Sequence, residues 1–242
     1  MRDSSLKRVL VAGYFNAREV TSAFAGMVRE PAMGAPIDYD AYWRHRGTSS
    51  VQPRFDIIVN AIGTGESILD VGCGDGAMLA HFAGLGRRRG VGIDVSHEAV
   101  RRAAARGVDA RVDTMGGLLA GGERFDHVVL SEVVEHVADA EGLVRDAWQL
   151  AQKTLWLTFP NIAYFPHRLR LAAGRFPVQW VVFPGEHLRF WSVPDFRRWM
   201  AGLGLPAPRM IASNGFTVAR LHRVWPNLFG NQIVARIDRA SS

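Results

Sequence analysis

Cysteine is almost absent from this 242-residue chain, which contains only Cys73. A single thiol cannot form a disulfide within the chain or supply a cysteine-rich metal site, so both are excluded. Long apolar runs are also missing, and no stretch approaches the roughly 20 residues that a membrane-spanning helix needs. The chain starts Met1-Arg2-Asp3 and shows no secretory-signal pattern. We therefore expect a cytoplasmic protein without a membrane segment.

Lysine is scarce as well, because only Lys7 and Lys153 occur among 29 basic residues. The formal net charge is +6, but the arginines are scattered. Their densest run, 87–89, lies in a predicted solvated turn. A nucleic-acid-binding protein would be expected to combine a basic stripe with an aromatic module, and we see neither. The composition does not favour a nucleic-acid partner.

Glycine, by contrast, is concentrated at one informative place. The run from Ser67 to Val71 reads as a buried strand, and three alternate glycines, Gly72, Gly74 and Gly76, follow it before a helix. Glycines let a ligand approach the backbone without Cβ clashes. A second predicted strand ends in Asp94, where a carboxylate can accept ribose hydroxyls. The two features predict a nucleoside site, and the glycine spacing lacks the register that seats a dinucleotide.

Strands and helices alternate along most of the chain. The predicted strands are 67–71, 90–94, 108–112, 125–130, 154–159, 210–216 and 232–237, and the predicted helices of the core are 75–85, 96–106, 139–151 and 194–202. Such alternation is typical of a doubly wound, mostly parallel α/β sheet of Rossmann-like type. We expect residues 1–62 to form a helical leader and lid, with helices at 16–29 and from Pro53. Residues 63–242 would form the main domain, including a cap insertion at 161–190 after the fifth strand.

From the glycine turn to the fifth strand, the chain resembles the class I S-adenosylmethionine-dependent methyltransferases. The resemblance implies S-adenosylmethionine as cofactor. It assigns the methionine portion to the turn, the ribose to Asp94 and the adenine to the end of the third strand. The cofactor-binding residues so implied are Asp70, Gly72, Cys73, Gly74, Asp94, Val95, Asp113, Thr114, Met115 and Ser131. Asp113 is also compatible with an ordinary turn.

Acid–base residues follow the fourth predicted strand. If one helical turn forms there, Glu132, Glu135 and His136 share a face at i, i+3 and i+4. This E-x-x-E-H pattern resembles one in ubiquinone-pathway O-methyltransferases and small-RNA 3′-end methyltransferases, where it binds a divalent metal, and His187 resembles the distant histidine of the latter site. Three readings stay open. His136 or His187, with Glu132, acts as proton acceptor in catalysis. Glu132, Glu135, His136 and His187 bind Mg²⁺ or Mn²⁺. The same groups make structural hydrogen bonds.

The C-terminal third is similar to the MetW family of methionine biosynthesis proteins. The similar stretches are 159–161, 168–171, 174–178 and 225–230. MetW proteins typically carry Gln-rich residues where this chain has Glu132, Glu135 and His136, and they begin close to the first strand. Both departures favour an independent enzyme with a covered pocket. Arg168, Arg170 and Arg175 lie where such an enzyme could pair with an anionic group of the methyl acceptor.

We therefore expect an enzyme that moves the methyl group of S-adenosylmethionine to an oxygen or nitrogen of a small metabolite. The first alternative is a MetW-like, cofactor-binding partner subunit of a homoserine acyltransferase. The second is a metal-dependent RNA 3′-end methyltransferase. A second copy of the chain and an acyltransferase are the two protein partners that we keep open.

Overall fold

The computed structural model describes residues 38–87, 89–177, 186–217 and 220–240. The predicted helix at 16–29 lies outside the described residues, as do 178–185 of the predicted cap insertion. The part of the chain that the structure describes contains no helix with the length and apolar character that a membrane crossing requires.

Seven strands form a single sheet in the order β3-β2-β1-β4-β5-β7-β6. Strands β1 to β5 are mutually parallel, and β7 is antiparallel to both β5 and β6. This confirms the predicted Rossmann-like α/β fold. The strands are β1 (Ile68–Val71), β2 (Gly90–Asp94), β3 (Ala110–Val112), β4 (Phe125–Ser131), β5 (Ala151–Pro160), β6 (Arg209–Gly215) and β7 (Gly230–Asp238).

Helices cover both faces of the sheet. The described helices are α1 (Tyr39–His45), α2 (Pro53–Val59), α3 (Ala77–Gly84), α4 (His97–Ala105), α5 (Met115–Ala120), α6 (Ala140–Leu150), α7 (Phe165–Ala172), α8 (Val193–Gly202), α9 (Leu221–Val224) and α10 (Pro226–Phe229), with a 3₁₀ turn at Val134–His136. Buried residues of α2, α3 and α4 pack on one face, and those of α5, α6 and α8 pack on the other. The two apolar layers fix the doubly wound arrangement.

Short helices are where the structure departs from the sequence prediction. The sequence predicts no helix at 39–45, 115–120 or 165–172, yet the structure has α1, α5 and α7 there. Local caps explain two of them: the Asp38 carboxylate accepts from the Ala41 N–H at 3.0 Å, and the Thr114 hydroxyl from the Gly117 N–H at 3.3 Å. The third helix, α7, has a proline in its first turn. Such caps stabilise helices too short to show an apolar period.

The strand register brings the predicted site together. Val71 of β1 lies beside Ile93 of β2 on one side and Leu130 of β4 on the other. The carboxyl ends of β1, β2 and β4 therefore meet at one edge. The chain reverses its strand order between β1 and β4, and in open α/β sheets ligands bind at this point.

Candidate functional site

The glycine turn after β1 is held tightly against β2. The N–H groups of Gly72 and Cys73 donate to the Ile93 carbonyl at 2.8 and 3.1 Å. Gly72 and Gly74 have φ values of +70° and +55°, which disfavour any residue with a Cβ. A Cβ at Gly74 would lie 2.5 Å from Cζ2 of Trp43. The bare backbone of the turn is therefore in contact with an aromatic ring from α1.

Two buried carboxyl groups flank this turn. Asp94 is 8% exposed, and its Oδ2 and Oδ1 accept from the N–H groups of Gly74 and Ser96, each at 2.9 Å. Burial raises the pKa of Asp94, against the effect of these backbone donors. Asp70 is fully buried, and its Oδ1 has no hydrogen-bond partner among the described residues. Burial, followed by the charge of Asp94, raises the pKa of Asp70 to about 8.

A segment that we call the strap, residues 38–52, lies over the turn. Its Asp40 carboxylate accepts from the Ser96 hydroxyl at 2.5 Å and from the Glu98 N–H at 3.1 Å. Asp75, which follows the turn, accepts from the Ser49 N–H at 2.7 Å and pairs with Arg106 at 2.6 Å. The strap is thus fastened to the N-terminal end of α4 and to the turn, with Trp43 between them.

The chain after β4 does not form the predicted helical face. Glu132 has a φ of +57°, so the 3₁₀ turn starts only at Val134. The Glu132 carboxylate accepts from the Thr158 hydroxyl at 2.7 Å, and the Glu132 N–H donates to the same hydroxyl oxygen at 3.0 Å. The predicted i, i+3, i+4 arrangement is therefore wrong, because the left-handed backbone at Glu132 turns its side chain toward β5.

Three of the four predicted metal-ligating side chains nevertheless converge. Glu135, His136 and His187 each offer a ligand atom, and these atoms lie within 4.8 Å of one another. Glu132 does not belong to this cluster. The two imidazole rings meet edge to face with centroids 4.7 Å apart. The Glu135 carboxyl is 0% exposed, and neither of its oxygens has a hydrogen-bond partner among the described residues.

Burial sets the protonation of this cluster. It raises the pKa of Glu135 well above its usual range, and the charge of Glu132 adds to the effect. It lowers the pKa of His136 and lowers that of His187 to about 3. His136 Nδ1 lies 2.7 Å from the carbonyl oxygen of Glu186. Because a carbonyl can only accept, Nδ1 carries the proton and the neutral ring keeps a lone pair on Nε2.

Two residues of this region, Tyr39 and Arg54, were not predicted from the sequence. Burial raises the pKa of the Tyr39 phenol. The negative charges of Glu186, Asp94 and Glu135 raise this pKa further. Tyr39 therefore lies within electrostatic reach of both Asp94 and the imidazole cluster. The Arg54 guanidinium donates from Nε to the Ser131 hydroxyl at 3.0 Å and from Nη1 to Gln232 Oε1 at 3.2 Å.

Arg54 also supplies positive charge to the site. It opposes the rise in the pKa of Asp70 and in that of Glu135. The sequence signal that could have found it is the helix start Pro53-Arg54 ahead of the first strand, since Pro marks a first helical turn. Nothing in a single sequence indicates that the second residue of that turn reaches the end of β4.

The other predicted cofactor-binding residues occupy varied environments. Asp113 accepts from the Thr114 N–H at 2.7 Å and lies 3.8 Å from the Arg111 guanidinium. Thr114 caps α5 and Met115 is buried beneath it. Val95 is 64% exposed. Cys73 is buried against β2, where its Sγ fills the space beside Gly92, and burial raises the pKa of its thiol.

The arginines proposed for the methyl acceptor are used differently. Arg168 donates to the Ala163 carbonyl at 2.6 Å, and Arg170, which is 3% exposed, donates to the Phe176 carbonyl. Both side chains therefore form hydrogen bonds with backbone oxygens near α7. That these arginines pair with an anionic group of the methyl acceptor stays a prediction.

Comparison with known proteins places the chain in a family. The model of the family described as "Methionine biosynthesis protein MetW" matches residues 52–237. A ubiquinone biosynthesis O-methyltransferase of Methylobacterium sp. (strain 4-46) is 39% identical over 114 residues, 45% of this chain and 43% of that protein. A bifunctional methionine biosynthesis protein MetXA/MetW of Rhodopirellula baltica is 30% identical over 158 residues, 58% of this chain and 25% of that protein. The chain thus spans less than half the length of either relative.

Solved structures agree on the fold. Magnesium protoporphyrin IX methyltransferase (ChlM) from Synechocystis PCC 6803, solved with bound SAH, has a TM-score of 0.55 at 17% identity, covering 96% of this chain and all of that one. The methyltransferase domain of bacterial CtHen1 has a TM-score of 0.56 at 16% identity, covering 78% and 98%. Identities this low show the fold alone. Because the family model covers most of its length, the chain belongs to the MetW family, with the Rossmann-like fold of the class I S-adenosylmethionine-dependent methyltransferases.

Proposed function

We propose that the protein is a methyltransferase that uses S-adenosylmethionine and acts on an oxygen or nitrogen of a small-molecule metabolite. One observation carries the proposal: the glycine turn with Asp94 and the neutral imidazole cluster lie at the same sheet edge. Asp94 ends β2 and His136 follows β4, and these two strands flank β1. Relatives named ubiquinone O-methyltransferases support a small-molecule acceptor.

The chain offers a distinct group for each part of the cofactor. The Asp94 oxygens each keep a lone pair after accepting one backbone N–H, and these can accept the ribose hydroxyls. The unpartnered Oδ1 of Asp70 suits the ammonium of the methionine portion. The Nη2 group of Arg54, which has no acceptor among the described residues, suits its carboxylate. Asp113 and Met115 remain our proposal for the adenine end.

His136 is the proposed proton acceptor. When bound, the cofactor supplies an activated methyl group on a sulfonium, so the protein has mainly to place the acceptor in line with it. The acceptor oxygen or nitrogen would bond to the methyl carbon as the carbon–sulfur bond breaks, which would release S-adenosylhomocysteine. The acceptor proton then passes to the lone pair on His136 Nε2. His187, whose pKa burial lowers to about 3, is the neighbouring second candidate.

The same cluster supports a second role, as a divalent metal site. A buried carboxyl with two unpartnered oxygens needs either a proton or a cation. Glu135, His136 and His187 would hold the ion, and the His136 N–H bond to a backbone carbonyl is the usual outer support of a metal-bound imidazole. Two nitrogen donors and one carboxylate favour Mn²⁺, Fe²⁺ or Zn²⁺ over Mg²⁺, which prefers oxygen. Such an ion would polarise the acceptor.

Transfer of a labelled methyl group tests the proposed activity. The purified protein is incubated with methyl-labelled S-adenosylmethionine and fractionated metabolites, with and without a chelator. We expect one labelled small molecule, and a turnover that His136→Ala lowers at least tenfold while affinity for S-adenosylhomocysteine is retained. His97→Ala, at an exposed position of α4, is the matched control. No labelled metabolite in any fraction would contradict the proposal.

A specific finding favours one alternative. In the relative from Rhodopirellula baltica, a MetW part and a MetXA part share one chain. A cofactor-binding subunit that assists a homoserine acyltransferase would show the same glycine turn. Two results together would select this alternative: tight binding of S-adenosylhomocysteine without any methyl transfer, and a stoichiometric complex with the acyltransferase.

A further inference from the structure

An exposed apolar face lies at the edge of the sheet where β5 and β6 end and β7 starts. It is formed where α7 starts and where α9 leads into α10. Its apolar members are Phe165, Leu221, Val224 and Trp225, which are 37%, 36%, 78% and 54% exposed. Exposed arginines flank them, namely Arg168, Arg220 and Arg223. We call these seven residues the basic apolar face.

The apolar members belong to one continuous surface. A chain of ring contacts joins its two ends: Phe165 to Phe216 at 6.4 Å, Phe216 to Phe229 at 5.8 Å, and Phe229 to Trp225 at 6.2 Å between centroids. The inner two rings support the outer two. The exposed rings are thus the outer layer of a packed aromatic cluster, and they are not scattered side chains.

The backbone under this face is fixed. Asn161 is 0% exposed, and its amide donates to the carbonyls of Pro226, Asn227 and Gly230 at 3.3, 3.1 and 2.8 Å. The Asn227 side chain in turn accepts from the Val193 N–H at 3.1 Å. These hydrogen bonds fix the turn that carries the half-exposed Trp225, so its ring keeps its position. Rigid aromatic anchors of this kind carry much of the energy of protein interfaces.

The charge of the face has one sign. Neither 161–177 nor 216–231 contains Asp or Glu, while five arginines occur in these two stretches. No ion pair of Arg220 or Arg223 is found within the described part of the chain. A partner that covers the apolar centre must therefore supply carboxylates at the rim, since arginines pair with them in bidentate geometry.

We propose that the basic apolar face docks a protein whose surface offers an apolar socket rimmed by Asp and Glu. Tryptophan, phenylalanine and arginine are the residues enriched at protein interfaces, and lysine, which this face lacks, is depleted there. A second copy would oppose arginine to arginine. A membrane surface would be expected to take up a longer amphipathic helix, whereas α9 has four residues. The proposal does not depend on which methyl acceptor the enzyme uses.

Site-specific cross-linking tests this proposal. A benzophenone amino acid replaces Val224 in the full chain in its native host, and Leu85, which is 44% exposed after α3, is the matched control position. We expect one protein to cross-link from position 224 and none from position 85. That protein is then purified, and its affinity for the unlabelled chain is measured by titration.

The titration decides between specific docking and chance capture. Val224→Asp and the double variant R220E/R223E should each weaken binding at least tenfold, without changing the thermal midpoint or the rate of methyl transfer. Arg124→Glu, an exposed arginine elsewhere, should leave the affinity unchanged. The proposal would be overturned if position 224 cross-linked only to a second copy, only to lipid or to no protein. It would also be overturned if both variants bound the partner as tightly as the unaltered chain.

Discussion

Two imidazoles at the end of β4 are held neutral by burial, and this defines the chemistry of the site at the scale of residues. The lowered pKa of His136 keeps its Nε2 lone pair available at pH values where an exposed histidine is protonated. The left-handed backbone at Glu132 removes that carboxylate from the cluster. Glu135 is thus the carboxyl group of the cluster itself, while the charge of Glu132 still acts on the pKa of His136, which it raises against the effect of burial.

The pH dependence of turnover follows from the state of His136. Because its folded pKa lies below 6.5, the ring loses its function only as pH falls through that lowered value. We expect kcat, measured with saturating S-adenosylmethionine so that the titration of free Asp70 does not enter, to stay constant from pH 8 down past 6.5 and to decline below it. Methyl transfer measured across this range checks the prediction. An acid limb centred above 6.5 would indicate that another group, or an exposed histidine, carries the step.

Arg54 gives a prediction that separates the two halves of the cofactor. Arg54→Gln should weaken the binding of S-adenosylhomocysteine about 10- to 100-fold. This is the loss expected for a charge-assisted hydrogen bond worth about 1.5–3 kcal/mol. Binding of 5′-methylthioadenosine, which has the nucleoside and lacks the amino acid, should stay the same. Calorimetric titration of both ligands provides the comparison. An equal loss for both would show that Arg54 supports the fold of the site instead.

At the scale of elements, the strap covers the glycine turn. Trp43 lies against Gly74, and Asp40 fastens α1 to the N-terminal end of α4 through Ser96 and Glu98. We propose that bound cofactor leaves only after these contacts open.

Release of the strap should therefore accelerate exchange. We expect Asp40→Asn to raise the dissociation rate of S-adenosylhomocysteine severalfold in stopped-flow displacement, because a neutral amide accepts these two hydrogen bonds more weakly. Asp109→Asn, at an exposed position, is the control and should leave the rate unchanged. An unaltered rate in the Asp40 variant would mean that the strap does not limit exchange.

The segments of the MetW resemblance have a structural use that can be measured. Asn161 from one segment holds three backbone carbonyls at 226–230 from another. Asn161→Ala should lower the free energy of unfolding by about 2–4 kcal/mol, since buried acceptors lose their donor. Asn227→Ala, which removes a single bond to the Val193 N–H, should cost about 1 kcal/mol. Urea unfolding of both variants gives the values, and equal losses would contradict this role of Asn161.

Long periodic elements were predictable and short ones were not. The strand at 90–94 is observed with its predicted bounds, because Asp94 directly follows a buried apolar run. The start and the end of helix α4 were predicted from its cap residue Ser96 and from Gly107, which has a positive φ. The helical turn expected from Glu132 does not form, because Glu132 itself has a left-handed backbone conformation. Nothing in a single sequence indicates that a glutamate will adopt this conformation. The sequence did not predict Arg54 and Tyr39 as site residues. They reach the site only because α2 and the strap pack against the ends of the strands.

At the scale of the whole molecule, strand order determines where everything meets. The parallel strands β1, β2 and β4 end at one edge, so that residues distant in sequence form one site. The basic apolar face lies at the same carboxyl edge, farther along the sheet, where β5 and β6 end and β7 starts. The surface that we assign to a protein partner is therefore offset along this edge from the glycine turn.

Calorimetric titration of the intact protein with S-adenosylhomocysteine tests the central claim most directly. We expect one site per chain with a micromolar dissociation constant, and added ligand at 100 times that constant should stabilise the fold by about 2.7 kcal/mol. Gly74→Val, whose side chain would enter the turn, should abolish both effects while the protein remains folded by circular dichroism. Absence of binding by the unaltered chain at millimolar ligand, or undiminished binding by the Gly74 variant, would contradict the account.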